Sequence, residues 1–416
     1  MDVANINSAT RNSGFKSSFV KIDSLPNFRL LCQRVSNKNE QSSEILGSGA
    51  IYRSSKPDKI VVEDLDKIRQ LSIKCIVDFR STEEYLSTDG HCLLDAEYTL
   101  YKVCLPTKNY KPGESMRFEV ISKASNGRSK SSTCPATKTF SEETVPVEAQ
   151  NQKWQSNMSE QVDLDDASIN TTTVTDDFTE SKCVQKRHYL INFYTQLYIR
   201  KLVFSLPWYL WLMGLFCLIY DLISRNKWKT FSKLLVQKSL NKKGIYGQYV
   251  DFIELSQPSI CSALKLISEP DNLPVLINCA YGKDRTGIIS ALILTCLGMP
   301  KSYVAAEYAL STEGLEPVRH LVYQDIVGKY ELTEEFCNSE TETMLKLLNY
   351  IEEKYTSVEG YMCHIGFSLE EQHRLKANVE AFRHLDYEDN NDDDDHKVTG
   401  VVSSKSETLS SHPKSD

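Results

Sequence analysis

Paired cysteines are missing from this 416-residue sequence: its 12 cysteines stand singly between Cys32 and Cys363, with no C-x-x-C and no histidine at zinc-ligand spacing. That excludes a disulfide frame or a zinc site and predicts reduced thiols in an intracellular setting. An apolar stretch is also lacking in the first twenty residues, so a secretory signal is not expected. Excess positive charge is absent, with 48 basic against 56 acidic residues and a net charge of −8. Such a balance gives no reason to expect nucleic acid as a partner. Gly (17) and Pro (13) are too few for collagen-like or low-complexity chains. The remaining composition, 41% hydrophobic and 25% charged, is that of a globular protein. At about 150 residues per domain the length suggests two or three domains. No internal repeat is visible.

The averages conceal an uneven chain. Residues 1–45 are rich in Asn and Ser and read as a poorly ordered segment. Apolar spacing over Ile60–Leu71 predicts a helix, and Ile73–Phe79 and Thr99–Leu105 read as strands. Residues 122–181 hold 19 Ser or Thr in 60 and few large aliphatics, too little to offset chain entropy by burial. The whole of 107–187 is therefore taken as a disordered insertion; its Asn157 and Asn170 glycosylation patterns are read as idle. A hydrophobic and basic segment follows at 188–243, and ordinary α/β patterning returns over 244–383. There Pro274–Ile277 reads as a buried strand and Arg285–Leu297 as an apolar helix. Ser339 with Glu342, and Ser368 with Glu371, have the spacing of capping boxes before two further helices. From residue 384 the chain is an acidic tail, with seven acids among the ten residues Asp386–Asp395.

Chemistry is concentrated in VLINCAYGKDRTGIISALIL, Val275–Leu294. A strand runs into Cys279, five residues intervene, and a helix begins at Arg285. Five residues let the backbone curl so that successive N–H groups face inward as an anion-binding nest, and the helix adds its positive end. Gly282 permits a tight turn, and Gly287 lets the helix lie close to the loop. Arg285 offers a planar fork to phosphate oxygens, and Lys283 adds a point charge. A thiol at a helix N-terminus beside cations is expected to ionise readily, and Thr286 is placed to donate its hydroxyl to the Cys279 sulfur. The bland alternative for Cys279 is a buried inert thiol.

This loop, C-x-x-G-K-D-R-T-G, resembles that of cysteine-dependent phosphatases. It is most similar to the atypical tyrosine-phosphatase group that includes bacterial secreted tyrosine/lipid phosphatases of the B type. IYRSSKP (Ile51–Pro57), VDFRSTEEY (Val77–Tyr85), VAAEYALST (Val304–Thr312) and YTSVEGYMCHIGFS (Tyr355–Ser368) resemble further segments of that group, in its order. The likeness covers about 46–106 and 244–383, roughly half the chain. It implies an α/β tyrosine-phosphatase-like domain, a central mixed sheet flanked by helices, interrupted by a long insertion. It further implies Cys279 as nucleophile and Arg285 with the loop residues Ala280, Tyr281, Gly282, Lys283 and Thr286 as phosphate-binding elements. Asp284 is the implied general acid, with Asp78 as reserve; an ion pair of Asp78 with Arg80 is the bland reading. No metal or other cofactor is required for such chemistry. Two departures stand out: Asn278 where relatives have His, and Tyr281 where they have a small residue. Arg53 either faces the pocket or forms a structural ion pair, and His320, His364 and His373 are read as structural.

Leu202–Tyr220 has nineteen residues and no charge, near the roughly 20 that span a bilayer. Trp208, Trp211 and Trp228 lie in or beside it, and Arg225–Lys243 carries seven Lys or Arg and no acid, a stretch attracted to anionic lipid. A single pass conflicts with placing the strands ending at Phe79 and Asn278 in one sheet, since both must lie on one side of any membrane. A monotopic insertion, with a break at Pro207, a lid over the site and a two-pass hairpin remain open. The sequence thus predicts a phosphomonoester hydrolase, cytoplasmic and membrane-associated, acting on phosphotyrosine proteins and on phosphoinositides. The alternative is a pseudophosphatase that binds phosphorylated partners at membranes. Separately, 122–181 could act as a phosphorylation-controlled tether.

Overall fold

Short aliphatic runs supply two central strands, Cys75–Asp78 and Val275–Asn278, more polar segments supply the others, and all eight join in one sheet. The computed structural model describes residues 15–19, 21–34, 49–87, 92–111, 114–121, 186–225 and 229–395. The strands are β1 (Phe15–Phe19), β2 (Arg29–Arg34), β3 (Ile51–Ser54), β4 (Cys75–Asp78), β5 (Tyr98–Cys104), β6 (Arg117–Val120), β7 (Lys186–Leu190) and β8 (Val275–Asn278). Their order across the sheet is β1-β2-β3-β8-β4-β7-β5-β6. The central five pair in parallel, while β1, β2 and β6 add antiparallel edges. Parallel strands are covered on both faces, which is why VLIN and CIVD read as continuous apolar runs and are buried throughout.

Helices α1 (Val62–Gln70) and α2 (Thr82–Leu86) follow β3 and β4; α3 (Gln196–Phe204), α4 (Trp208–Ile223), α5 (Lys229–Leu255) and α6 (Gln257–Ser268) lie between β7 and β8. After β8 come α7 (Asp284–Cys296), α8 (Lys301–Gly314), α9 (Arg319–Tyr323), a π-helical turn over Gln324–Lys329, α10 (Thr341–Tyr355), α11 (Val358–His364) and α12 (Leu369–Asp395). Side chains alternate along β8, so its two faces feed two cores. Val275, Ile277 and Cys279 join the larger core with Ile288, Leu292, Met344 and Leu348, whereas Leu276 joins Tyr52, Ile68 and Ile76 over α1. Cys279 therefore leaves the sheet on the face that α7 covers.

The α/β mixed sheet agrees with expectation, but several boundaries move. Residues 15–34, inside the segment read as poorly ordered, contribute β1 and β2, the latter paired with β3. The insertion expected over 107–187 begins with β6, and the segment expected to start at 188 begins inside β7, a sheet strand held between β4 and β5. Backbone pairing on both sides outweighs the mixed charge of KRHYL. The Ser368–Glu371 capping box is present in both directions (3.2 and 2.7 Å). The Ser339–Glu342 box is not: Ser339 Oγ binds Thr312 Oγ1 at 2.7 Å, and α10 starts after Glu340 without a side-chain cap. The helix α12 runs on to Asp395, so the acidic run begins as helix rather than tail. Residues 122–181, with Asn157 and Asn170, as well as Trp228 and 396–416, lie outside the described residues.

Candidate active site

The loop between β8 and α7 is shaped from outside. Ala280 O accepts from Lys56 N (3.2 Å), Tyr281 O from Asn27 Nδ2 (3.0 Å), and Gly282 O from Asn27 Nδ2 (3.1 Å) and Arg53 Nη2 (2.6 Å). In a planar trans peptide the next N–H points opposite to the carbonyl. Three outward carbonyls therefore turn the amides of Tyr281, Gly282 and Lys283 toward the concave side. Gly282 sits at φ +63°, and a Cβ there would come within 2.0 Å of Ser54 O, so no side chain fits. Helix α7 opens directly afterwards, adding its N-terminal dipole to the same concavity.

A buried ionic frame holds this outer wall. Glu307 on α8 accepts from Arg29 Nε (2.7 Å) and Arg53 Nη1 (2.6 Å), all three nearly or wholly buried. Arg29 reaches on to Ser311 Oγ and to Asn27. Burial, with Arg53 as a like-charged neighbour, lowers Arg29 to about 10, still cationic at neutral pH. Arg53 thus serves as a structural brace whose second nitrogen fixes the loop. Asn27, Arg29 and Glu307 were not singled out in the sequence; Glu307 sits inside the VAAEYALST match, the only signal that pointed to it.

Cys279, Arg285, Thr286 and the loop residues come together as the sequence proposed, but not every side chain does what was expected. Cys279 is 2% exposed at the strand end. Arg285 donates to both carboxylate oxygens of Glu84 (2.8 Å each) and to Phe79 O (2.8 Å), and its guanidinium lies 5.2 Å from the Tyr194 ring. Burial works against its charge, yet the Glu84 carboxylate overrides this and raises Arg285 further. Glu84 in turn is pushed up by burial but held below the usual carboxylate range by Arg285. The same Glu84 closes the capping box of α2 with Ser81, so a helix start and the guanidinium share one carboxylate.

Lys283 does not reach into the cavity. Its ammonium is buried and donates to Phe336 O and Asn338 O (2.9 Å each), because the side chain runs outward into the segment after α9. Its charge consequently anchors the loop. The Thr286 hydroxyl is buried and makes no hydrogen bond among the described residues, so the expected donation to the Cys279 sulfur is not formed. Both amide atoms of Asn278 are likewise buried without partners, so that amide does not orient the loop; its backbone O, accepting from Phe79 N at 2.8 Å, does.

The two carboxylate candidates are placed very differently. Asp284 keeps 27% side-chain exposure, with Oδ1 accepting from Tyr249 Oη (2.5 Å) and lying 3.0 Å from Lys283 Nζ. Tyr249 also meets Tyr308 (2.7 Å), and burial followed by the Asp284 charge lifts its hydroxyl well above the usual range. Asp78 is wholly buried, accepting from Arg80 Nε on Oδ1 and from Nε and Nη2 on Oδ2, and 3.5 Å from His188. Burial pushes its carboxyl up, but Arg80 and His188 prevail and hold it well below the ordinary range. Such a group is an anion with no route to a leaving group, so Asp78 belongs to the frame. Tyr281 lies at the rim, its hydroxyl donating to Asp325 on the π-helical turn.

A strand ending in cysteine, an inward-facing amide turn and an arginine on the first turn of a helix define a phosphate-handling cysteine site on an α/β sheet. The tyrosine phosphatase family model matches residues 20–198 and 211–380, and the chain belongs to that family. It is 30% identical over 139 residues to a tyrosine-protein phosphatase of Nostoc commune, covering 32% of this chain and 47% of that protein. It is 26% identical over 118 residues to the triple specificity protein phosphatase PtpB of Mycobacterium tuberculosis, covering 25% and 43%. The chain thus spans less than half the length of these curated relatives.

Proposed function

We propose that this protein hydrolyses phosphomonoesters through a phosphocysteine intermediate, with phosphotyrosine proteins and phosphoinositides as substrate classes, at a cytoplasmic membrane surface. The observation that carries the reading is the set of outward loop carbonyls around Cys279, which commits the amides and the α7 dipole to an anion. The Cys279 sulfur attacks phosphorus and the bond to the leaving oxygen breaks. Asp284 supplies the proton that oxygen takes; with Oδ1 held by Tyr249, Oδ2 carries it. Water then attacks the phosphocysteine, returns a proton to Asp284, and the P–S bond breaks to release phosphate and the Cys279 thiolate, the form that attacks in the first step. Amides and Arg285 hold the equatorial oxygens, and positioning with charge stabilisation carries the rate. Incoming phosphate would share Arg285 with Glu84, which holds the guanidinium plane in a fixed orientation.

Membrane association rests on α4 and its basic continuation, and the phosphoinositide class follows from it. The test compares wild type with Cys279→Ser on p-nitrophenyl phosphate, phosphotyrosine peptides and short-chain phosphoinositides. Turnover lost by on the order of 10⁴-fold or more, with phosphate binding retained, is the expected result. Equal rates for the two proteins would sink the enzyme reading, and binding without turnover by wild type would favour a pseudophosphatase. Turnover of peptides alone would remove the lipid class.

A further inference from the structure

Between β7 and β8 the chain makes a long excursion that closes on itself. Thr195 Oγ1 donates to Leu255 O (2.6 Å), Ser256 Oγ to Phe193 O (2.5 Å), and Ser259 Oγ to Asn192 O (2.7 Å). Both ends therefore stand side by side at the sheet. Any surface the excursion meets, it enters and leaves from one side. No single described helix is long and apolar enough to cross a membrane; α3 and α4 together reach the composition but bend by 117° at the Ser205–Pro207 break.

Helix α4 rises about 24 Å over its 16 residues. It buries Leu210, Gly214 and Asp221 on one side, toward α5, where Asp221 accepts from Thr230 N and Phe231 N. Apart from the half-buried Cys217 and Leu218, the rest of its surface is exposed, from Trp211 and Leu222 at one margin through Trp208 and Phe216 to Tyr220 and Met213 at the other. At 3.6 residues per turn these cover an arc of about 200°, without a charge. An apolar surface this continuous marks an interaction site. Arg200, Arg225 and Lys242 are exposed nearby and form no salt bridge among the described residues, and Lys238, also exposed, stands near Glu331. Apolar core, aromatic margin and cationic flank together fit the headgroup layer of an anionic bilayer.

The same excursion reaches the catalytic loop. Helix α5 is broken at Gly244 (φ +68°, ψ 179°), a conformation open to glycine alone, beside Glu335. The half before the break packs on α4. The half after it carries Tyr249, whose hydroxyl holds Asp284. Lys201 of α3 and Lys243 of α5 converge on the buried Asp251 (2.8 and 2.6 Å), tying the hairpin root together across the break.

Resting on the phosphatase reading above, we propose that α4 docks in the plane of an anionic bilayer as a one-sided hairpin. Docking is coupled across Gly244 to Tyr249, a positioning residue that sets where Asp284 presents its proton. The test uses the full chain with phosphatidylcholine vesicles, with and without phosphatidylserine, reading co-sedimentation and hydrolysis of two soluble esters, phenyl and p-nitrophenyl phosphate. Wild type should sediment with the anionic vesicles only. Its kcat on phenyl phosphate, the poorer leaving group, should then rise about fivefold or more, and on the nitrophenyl ester much less. Phe216→Asp with Leu222→Asp, both exposed, should abolish binding and stimulation while leaving the vesicle-free rate intact. Tyr249→Phe should still sediment but lose both the stimulation and kcat on phenyl phosphate. Failure to sediment, or self-association through α4 in place of vesicle binding, overturns the docking. Sedimentation with no change in the leaving-group dependence overturns the coupling. Loss of all hydrolysis, with Cys279→Ser no different, strikes instead at the phosphatase reading.

Discussion

The catalytic loop and helix α4 solve opposite problems. In the loop, carbonyls and cationic side chains are tied to residues far away in the chain: Gly282 O to Arg53 and Asn27, Lys283 to Phe336 and Asn338, Arg285 to Glu84. Its geometry is over-determined, as a site that must present amides to a phosphate requires. Helix α4 is held along one edge and presents its apolar side chains outward. Precision for one small anion is built by many distant restraints; adaptation to an extended fluid surface needs few. The two are linked through α5, whose half before Gly244 packs on α4 and whose half after it carries Tyr249 to Asp284.

Substitutions at the restraints should show this contrast most strongly. Arg285→Lys keeps the charge but loses the fork that spans two oxygens, and kcat should fall on the order of 10²–10³-fold. An equal rate would mean the guanidinium plane is irrelevant. Glu307→Ala leaves Arg29 and Arg53 buried without their carboxylate, which should destabilise the fold by about 3–5 kcal/mol in denaturant titration. A change below about 1 kcal/mol would show that the frame is not what shapes the loop. Gly282→Ala places a Cβ against Ser54 O, so stability and phosphate binding should fall together. Acid should act through Glu84: its carboxyl lies lower folded than unfolded, so its stabilisation is present above the unfolded carboxylate pKa. That contribution is lost as pH falls through the folded value, and Glu84→Gln should flatten the loss of stability on acidification.

What the sequence disclosed follows the same division. Cys279, Gly282 and Arg285 were legible because strand, turn and helix lie within one local run whose spacing fits an anion-binding nest. The frame was not legible. Arg29 lies 278 residues from Glu307, and each alone looks like a surface charge. Strand β7 hid for a related reason: Lys186, Arg187 and His188 carry no alternation, and parallel neighbours on both sides make the strand. Ser339 had the spacing of a cap, but a nearer tertiary partner, Thr312, took its hydroxyl. The Thr286–Cys279 bond failed although both residues are where the motif puts them, because proximity along a helix start does not set a hydroxyl's direction. The hydrophobic run was visible at once, whereas its bend and its rooted ends came only from the fold.

The smallest expected effect sharpens the comparison furthest. Leu212 on α4 is 54% exposed, and Leu292 on α7 is 1% exposed. Leu292→Ala deletes the same atoms as Leu212→Ala, but from the layer on which the loop rests, and should cost about 2–5 kcal/mol through lost burial and a cavity. Leu212→Ala should change unfolding stability by no more than about 0.5 kcal/mol in buffer, because little is buried there to lose. If the outer arc of α4 instead packs against another part of the chain, Leu212→Ala would approach the Leu292 value. The distinction would then collapse into one continuous core. With the difference intact, stability in solution is indifferent to α4's apolar surface, and the reason for that surface must lie in what it meets rather than in what it holds together.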